Sequence, residues 1–220
     1  MQKGDFVRIE YVARLESNEI FDLTDEALAK KENIYNPQAR YKPIPVIVDA
    51  GFVIHGLDKA LLDMNVGDKK KIEIEPEQGF GKRDPKLTRV VPRSAFRDMK
   101  TEPRQGMVVD FSGIKGRIQS ISAGRITVDF NNPLAGKKLI YDLEVKEKID
   151  TDDGKIKAVF EFFGIDDVKA KFNADSVDIE TKKLPTEIKE KVSSIIIEHV
   201  KPDNKVISTV RFIEIYKKEK

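Results

Sequence analysis

Residues 51–61 read Gly51-Phe52-Val53-Ile54-His55-Gly56-Leu57-Asp58-Lys59-Ala60-Leu61. An apolar dipeptide, Val53-Ile54, runs through a glycine turn into a short helix expected over 58–64. Leu57, Leu61 and Met64 stand there at helical spacing, and Gly67 lies just past the end. Further on, Gly79-Phe80-Gly81 sets an aromatic in a glycine-flanked loop. Neither stretch offers a nucleophile, a metal cage or a phosphate loop. Together they describe a small apolar pocket with a backbone donor at its floor, which suits a desolvated peptide.

The flanking segments read as strands. In Asp5 to Val12, Val7, Ile9 and Tyr11 share one side and form the better-buried face, opposite Phe6, Arg8 and Glu10. A long connection from Asp22 to Pro45 carries a short helix at 25–31, with its acids early and its lysines late, as the helix dipole prefers. Strands are expected at 46–48, at 69–75 with Ile72 and Ile74 inward, and at 139–145. About 60 residues separate Phe80 from Tyr141, too many for a structureless loop in a compact domain. Strand signals at 107–111, 116–121 and 124–130, with a turn at Ser122-Ala123-Gly124, mark 87–131 as an inserted small β domain.

Residues 150–154, Asp150-Thr151-Asp152-Asp153-Gly154, read as a linker to a third module over 155–220. Strands are expected there at 159–163, 176–180 and 206–216. A helix beginning near Pro185 carries Ile188, Val192, Ile195, Ile196 and His199 on one face. The 206–216 strand is apolar on both sides, which suggests a central strand or an assembly surface. The domains are therefore 1–86 with 132–150, then 87–131, then 155–220.

Composition narrows the class. The chain has 220 residues, 40 % hydrophobic and 35 % charged, with 40 basic against 38 acidic side chains and a net charge of +2. That balance leaves no strong electrostatic footprint for nucleic acid. No apolar run approaches the ~20 residues of a spanning helix, and no signal peptide is visible, so a cytoplasmic protein with no membrane partner is expected. The absence of cysteine removes disulfides and thiolate chemistry. His55 and His199 belong to no metal-spaced cluster, so neither a metal nor another cofactor is expected.

The ordered set Tyr11, Phe21-Asp22, Val53-Ile54-His55-Gly56-Leu57, Gly67-Asp68, Phe80-Gly81 and Tyr141-Asp142 resembles the signature of the FKBP-type peptidyl-prolyl isomerases over about residues 1–148. Asn131-Asn132-Pro133-Leu134-Ala135-Gly136 is similar to the segment that closes the insert-in-flap module of the SlyD-like branch. The insert near 33–37 and the extra C-terminal region resemble the long archaeal form. The resemblance implies an α+β fold: an antiparallel sheet wrapped on a short helix, a small inserted β domain and a C-terminal α/β module. It also implies that Phe21, Val53, Ile54, Leu57, Phe80 and Tyr141 line the isomerase pocket, with Tyr11 and Asp22 as its polar wall and Ile44 at a further pocket position. The Ile54 N–H would hold a substrate carbonyl. Leu57 stands where a tryptophan is common, Phe80 replaces a tyrosine and Ile44 an aromatic, so tight macrolide binding is not expected. Asn132 stands where relatives often have histidine, and the chain ends without a histidine-rich tail, so nickel handling is not carried over.

Amide rotation transfers no proton, so the expected role of Asp22 is to orient Tyr11 or polarise the site. In the insert, Val90, Val91, Phe96, Met99, Met107, Val109, Phe111, Ile118 and Ile126 supply a core and, by the resemblance, a groove for unfolded chains. The expected partners are unfolded or nascent polypeptides with X-Pro bonds, and a second copy of the chain through the C-terminal module. Two other readings stand beside this one. The first is a non-enzymatic chaperone or peptide-binding adaptor with a degenerate pocket. The second is an RNA-associated β module, suggested by Lys115, Arg117 and Arg125 beside glycines and opposed by the lack of clustered stacking aromatics.

Overall fold

A computed structural model describes residues 1–99, 102–111, 113–122, 124–202 and 205–215. The chain forms two compact units, one of residues 1–74 with 140–220 and one of residues 75–139. In chain order the first unit opens with β1 (Phe6–Leu15), β2 (Ile20–Leu23), α1 (Glu26–Lys31), β3 (Ile44–Ile47), α2 (His55–Leu62) and β4 (Lys69–Ile74). The second holds β5 (Thr88–Pro92), β6 (Val108–Phe111), β7 (Ile114–Ser122) and β8 (Arg125–Asp129). Then come β9 (Leu139–Lys148), α3 (Asp152–Phe162), β10 (Val168–Phe172), β11 (Ser176–Thr181), α4 (Thr186–His199) and β12 (Thr209–Glu214). The class is mixed α+β with mostly antiparallel strands. No helix among the described residues is long and apolar enough to cross a membrane.

A five-stranded sheet runs β2-β1-β9-β4, with β3 also paired to β1. β1 serves two partners in succession: Phe6–Ile9 pair with β3, and Val12–Arg14 pair with β2 across a bulge at Ala13/Arg14. Val7 and Ile9 are fully buried, as the alternation predicts, but Phe6 on the opposite side is buried too, in the core it shares with α3; Ala13 and Leu57, Leu61 and Met64 from α2 and its end are also buried. Gly56 lets α2 approach β4, because a Cβ there would lie 2.7 Å from Ile74 Cγ2. α1 is capped by Asp25, whose carboxylate accepts from the Leu28 N–H at 3.0 Å, and it carries a Glu26–Lys30 pair one turn apart.

The segment 159–163, expected as a strand, is helical. The supposed linker is the start of α3: the Thr151 hydroxyl accepts from the Gly154 N–H, and Asp152 and Asp153 fill the first turn. Ile156, Val159 and Phe160 then fall at helical spacing and are buried. β2, β5 and β10 were not expected. The C-terminal sheet is ordered β10-β11-β12, with β10 antiparallel and β12 parallel to β11. β12 is thus an edge strand rather than a central one. It starts at Thr209 instead of 206, and Tyr216 lies outside the described residues. Phe6 and Ile47 share one core with Ile156, Phe160, Val177, Ile179, Val192 and Ile196, so α3 closes over β3 as well as over its own sheet. The seam between α3 and β3 has no space large enough for water.

The second unit contains a four-stranded antiparallel sheet, β5-β8-β7-β6, with Phe96 covering it from a 3-10 segment, Arg93–Met99. Gly116 is required in β7, since a Cβ there would meet Val128 and Phe130 at 2.6–2.8 Å.

Candidate active site

The polar wall is built by pairing β1 with β2. Ala13 stands opposite Asp22, which brings Asp22 within reach of Tyr11. The Tyr11 hydroxyl donates to Asp22 Oδ2 at 2.8 Å. Tyr141, from β9, is 4 % exposed and completes an aromatic cluster. Its ring centroid lies 5.6 Å from that of Tyr11, and 6.0 Å from that of Phe21 in an edge-on contact. Burial, and then the Asp22 charge, push both phenols above their ordinary pKa, so both stay protonated at any physiological pH.

Val53 and Ile54 enter α2. Ile54 is its N-cap, in an extended conformation, and its carbonyl accepts from the Leu57 and Asp58 N–H groups at 2.9 and 3.1 Å. The Ile54 N–H itself has no acceptor among the described residues. It is a free donor beside the positive end of a helix, suited to a carbonyl oxygen. Leu57 is buried at 2 % exposure. Ile44 opens β3, paired opposite Ile9, and is half-buried. Phe80 belongs to the second compact unit, half-buried after a 3-10 turn at Pro76–Gln78.

Sequence reasoning passed over Asp58. Its carboxylate is 4 % exposed and accepts from the Asp49 N–H at 3.1 Å and the Gly51 N–H at 2.9 Å, so it ties the loop before Val53 to α2. The available signal was an acid in the first turn of a helix after a glycine turn.

Of the insert residues expected to meet clients, Phe96, Val109, Ile118 and Ile126 form the buried core of the second unit, and Val91, Met107 and Phe111 pack against it. The Met99 side chain lies outside the described residues. Alternation turns Val90, at 61 % exposure, and Val108, at 53 %, outward, whereas Ile114, at 62 %, and Ile121, at 39 %, stand opposite Phe111 and Ile126 on the core-facing side and remain exposed there.

A cavity of about 390 Å³ is lined by Glu10, Tyr11, Val12, Asp25, Lys69, Lys70, Lys71, Asp142, Leu143 and Glu144. It shares only Tyr11 with the apolar cluster, and its charged walls do not suit a proline ring. Among the described residues, no three His, Asp or Glu side chains are grouped to hold a metal ion.

Residues 1–146 match the family model described as FKBP-type peptidyl-prolyl cis-trans isomerase. The chain is 37 % identical over 147 residues to the short-type peptidyl-prolyl cis-trans isomerase of Methanocaldococcus jannaschii, covering 67 % of this chain and 93 % of that protein. It is 30 % identical over 145 residues to a probable FKBP-type 16 kDa peptidyl-prolyl cis-trans isomerase of Pseudomonas fluorescens, covering 63 % and 85 %. It is 28 % identical over 148 residues to the FKBP-type isomerase SlyD of Helicobacter pylori, covering 66 % and 76 %.

Proposed function

The chain belongs to the FKBP-type peptidyl-prolyl cis-trans isomerase family, and on that premise we propose that it is a cytoplasmic folding factor which isomerises X-Pro bonds in unfolded chains and holds those chains while it does so. Rotation about the peptide bond meets a barrier of roughly 18–20 kcal/mol, because resonance keeps the amide planar. Uncatalysed exchange takes roughly 10–100 s at 25 °C. No bond is broken, so the site needs no nucleophile. It needs to strip water from the amide carbonyl, whose hydration favours the planar form, and to hold the twisted amide better than the flat one; each tenfold gain takes about 1.4 kcal/mol.

The observation that carries this reading is the aromatic cluster of Tyr11, Phe21 and Tyr141, braced by Asp22. In the proposal Phe21, Val53, Ile54, Leu57 and Tyr141 surround the proline ring, with Ile44 at the rim. The Ile54 N–H donates to the substrate carbonyl. Asp22 fixes the Tyr11 hydroxyl and moves no proton.

The holding function is assigned to the insert. The exposed residues Val90, Val108, Ile114 and Ile121 offer apolar contact to an extended chain. Tethering a client to the same chain as the pocket raises its effective concentration there. The kinship with SlyD and the adjacency of the insert's ends support this. The Phe130 N–H donates to the Leu87 carbonyl at 2.9 Å, so a short turn can replace 87–131.

The test is a proline-limited refolding assay alongside a short proline peptide. The full chain should accelerate both at substoichiometric concentration. Tyr141→Ala should lose at least about tenfold on both, with folding checked in parallel, since truncating a buried aromatic costs roughly 3–5 kcal/mol of stability. The chain with 87–131 replaced should keep its peptide activity and lose most of its refolding activity. Suppressed aggregation without a faster slow phase would instead identify a non-enzymatic holdase, and equal losses on both substrates would sink the division of labour.

A further inference from the structure

The family match ends at residue 146, and the region beyond it makes specific contacts with two loops of the isomerase unit. We propose that the C-terminal end of α3 and the turn after it, 161–166, position the loops that carry Val53-Ile54 and Ile44, with Phe162 and Arg40 as the positioning contacts. This rests on the reading that those three residues line the isomerase site.

The first loop is held at two points. Asp58 fixes its beginning through the Asp49 and Gly51 N–H groups. Its end is held by Phe52, the residue directly before Val53, whose ring stands edge-on to Phe162 with centroids 4.6 Å apart. Phe162 is 39 % exposed, so this ring does little for the core beneath α3. Its ring meets the rings of Phe52 and of its neighbour Phe163.

The second loop, between α1 and β3, is held by charge. The Arg40 guanidinium donates to Asp166 Oδ1 at 3.0 Å and to the Gly164 carbonyl at 2.9 Å. Lys42, two residues before Ile44, pairs with Glu161 at 2.5 Å. A cation at the carbonyl end of a helix is also favoured by the helix dipole. The anchor itself is closed: Gly164 at φ +77° turns the chain, its N–H donates to the Glu161 carbonyl, and the Ile165 N–H donates to the Phe160 carbonyl. One capped helix end therefore grips both loops. Misplacing a substrate-binding group by about 1 Å can cost up to a hundredfold in rate, so such a grip bears on turnover.

The experiment uses the full chain, Phe162→Ala, the ring-retaining Phe162→Tyr, and Arg40→Ala. Three quantities are read: kcat/KM on a short proline peptide, backbone amide NMR signals, and the thermal midpoint. At a temperature where it is fully folded, Phe162→Ala should lose about fivefold in kcat/KM and shift the Val53 and Ile54 amides. Phe162→Tyr should stay within about twofold of the parent with those amides unmoved. Arg40→Ala should shift the amides of residues 40–44. A folded Phe162→Ala with unchanged kcat/KM and unmoved Val53 and Ile54 amides overturns the proposal. Should Phe162→Ala not fold, Arg40→Ala at an exposed ion pair decides by the same readouts, and unmoved 40–44 amides overturn it. An inactive parent chain would sink the site reading alone, because the amide signals still report whether the loops move.

Discussion

Asp58 shapes the site without belonging to it, by accepting from the Asp49 and Gly51 N–H groups of the loop before Val53. Burial raises its pKa above the ordinary 3.8, and the two backbone N–H donors only partly offset that. The carboxylate is retained because those donors have no other acceptor. Asp58→Ala should therefore cost about 1–3 kcal/mol in urea unfolding at pH 7, the penalty of stranding buried amides. Asp58→Asn, which keeps one acceptor, should cost less. Equal stability of Asp58→Ala and the parent would show that water replaces the carboxylate freely. At this scale sequence reasoning reached the Tyr11–Asp22 pairing, because both residues sit in a recognisable order. It missed Asp58, because nothing in a sequence shows which loop amides a helix acid will meet.

α3 shows how local signals compete at the scale of one element. Val159 to Phe163 is β-branched and aromatic, which favours a strand, and Gly154 looks like a breaker. The cap at Thr151 and the burial of Ile156, Val159 and Phe160 against β3 and β11 outweigh that preference. On the outer side Glu161 joins Arg8 at 2.6 Å and Lys42 at 2.5 Å. Burial raises the Glu161 pKa, but the hydrogen bonds from Arg8 and Lys42 prevail and hold it below the ordinary 4.5. A carboxylate depressed in the fold contributes stability above its unfolded pKa and loses it as pH falls through the folded value. Glu161→Gln should be about 1 kcal/mol less stable than the parent at pH 7, a modest figure because Lys42 is partly exposed. That gap should shrink steadily as pH drops below 4.5, in urea titrations of both proteins. A gap independent of pH would mean that the cost is packing rather than charge.

At the scale of the molecule, β12 is an edge of the C-terminal sheet, with no further strand beside it among the described residues. Ile213 and Ile215, both 45 % exposed, lie on or just past that strand. An apolar edge strand invites pairing, and a second copy meeting it across a two-fold axis is the commonest way to cover one. The expected assembly is a homodimer that presents two client-binding sites. Sedimentation at micromolar concentration should give twice the chain mass, and Ile213→Lys should return it to a monomer. A parent chain that sediments as a monomer removes the dimer.

The amino-acid sequence by itself determined the mixed α+β class, the strands β1 and β9, a short helix at α2 and a strand-rich segment between Phe80 and Tyr141. Each of these rests on local periodicity, glycine punctuation or a motif in fixed order, and those signals survive without knowledge of neighbours. Tertiary structure alone decided three other matters. It turned Phe96, Val109, Ile118 and Ile126 inward and Val90 and Val108 outward, because an apolar residue reads the same on either face until the covering segment is known. It made α3 a helix, because burial against β3 overrides weak intrinsic preference. It joined the C-terminal region to Phe6, Ile47 and Phe52, because a core shared by residues about 150 positions apart leaves no trace in the spacing of either segment.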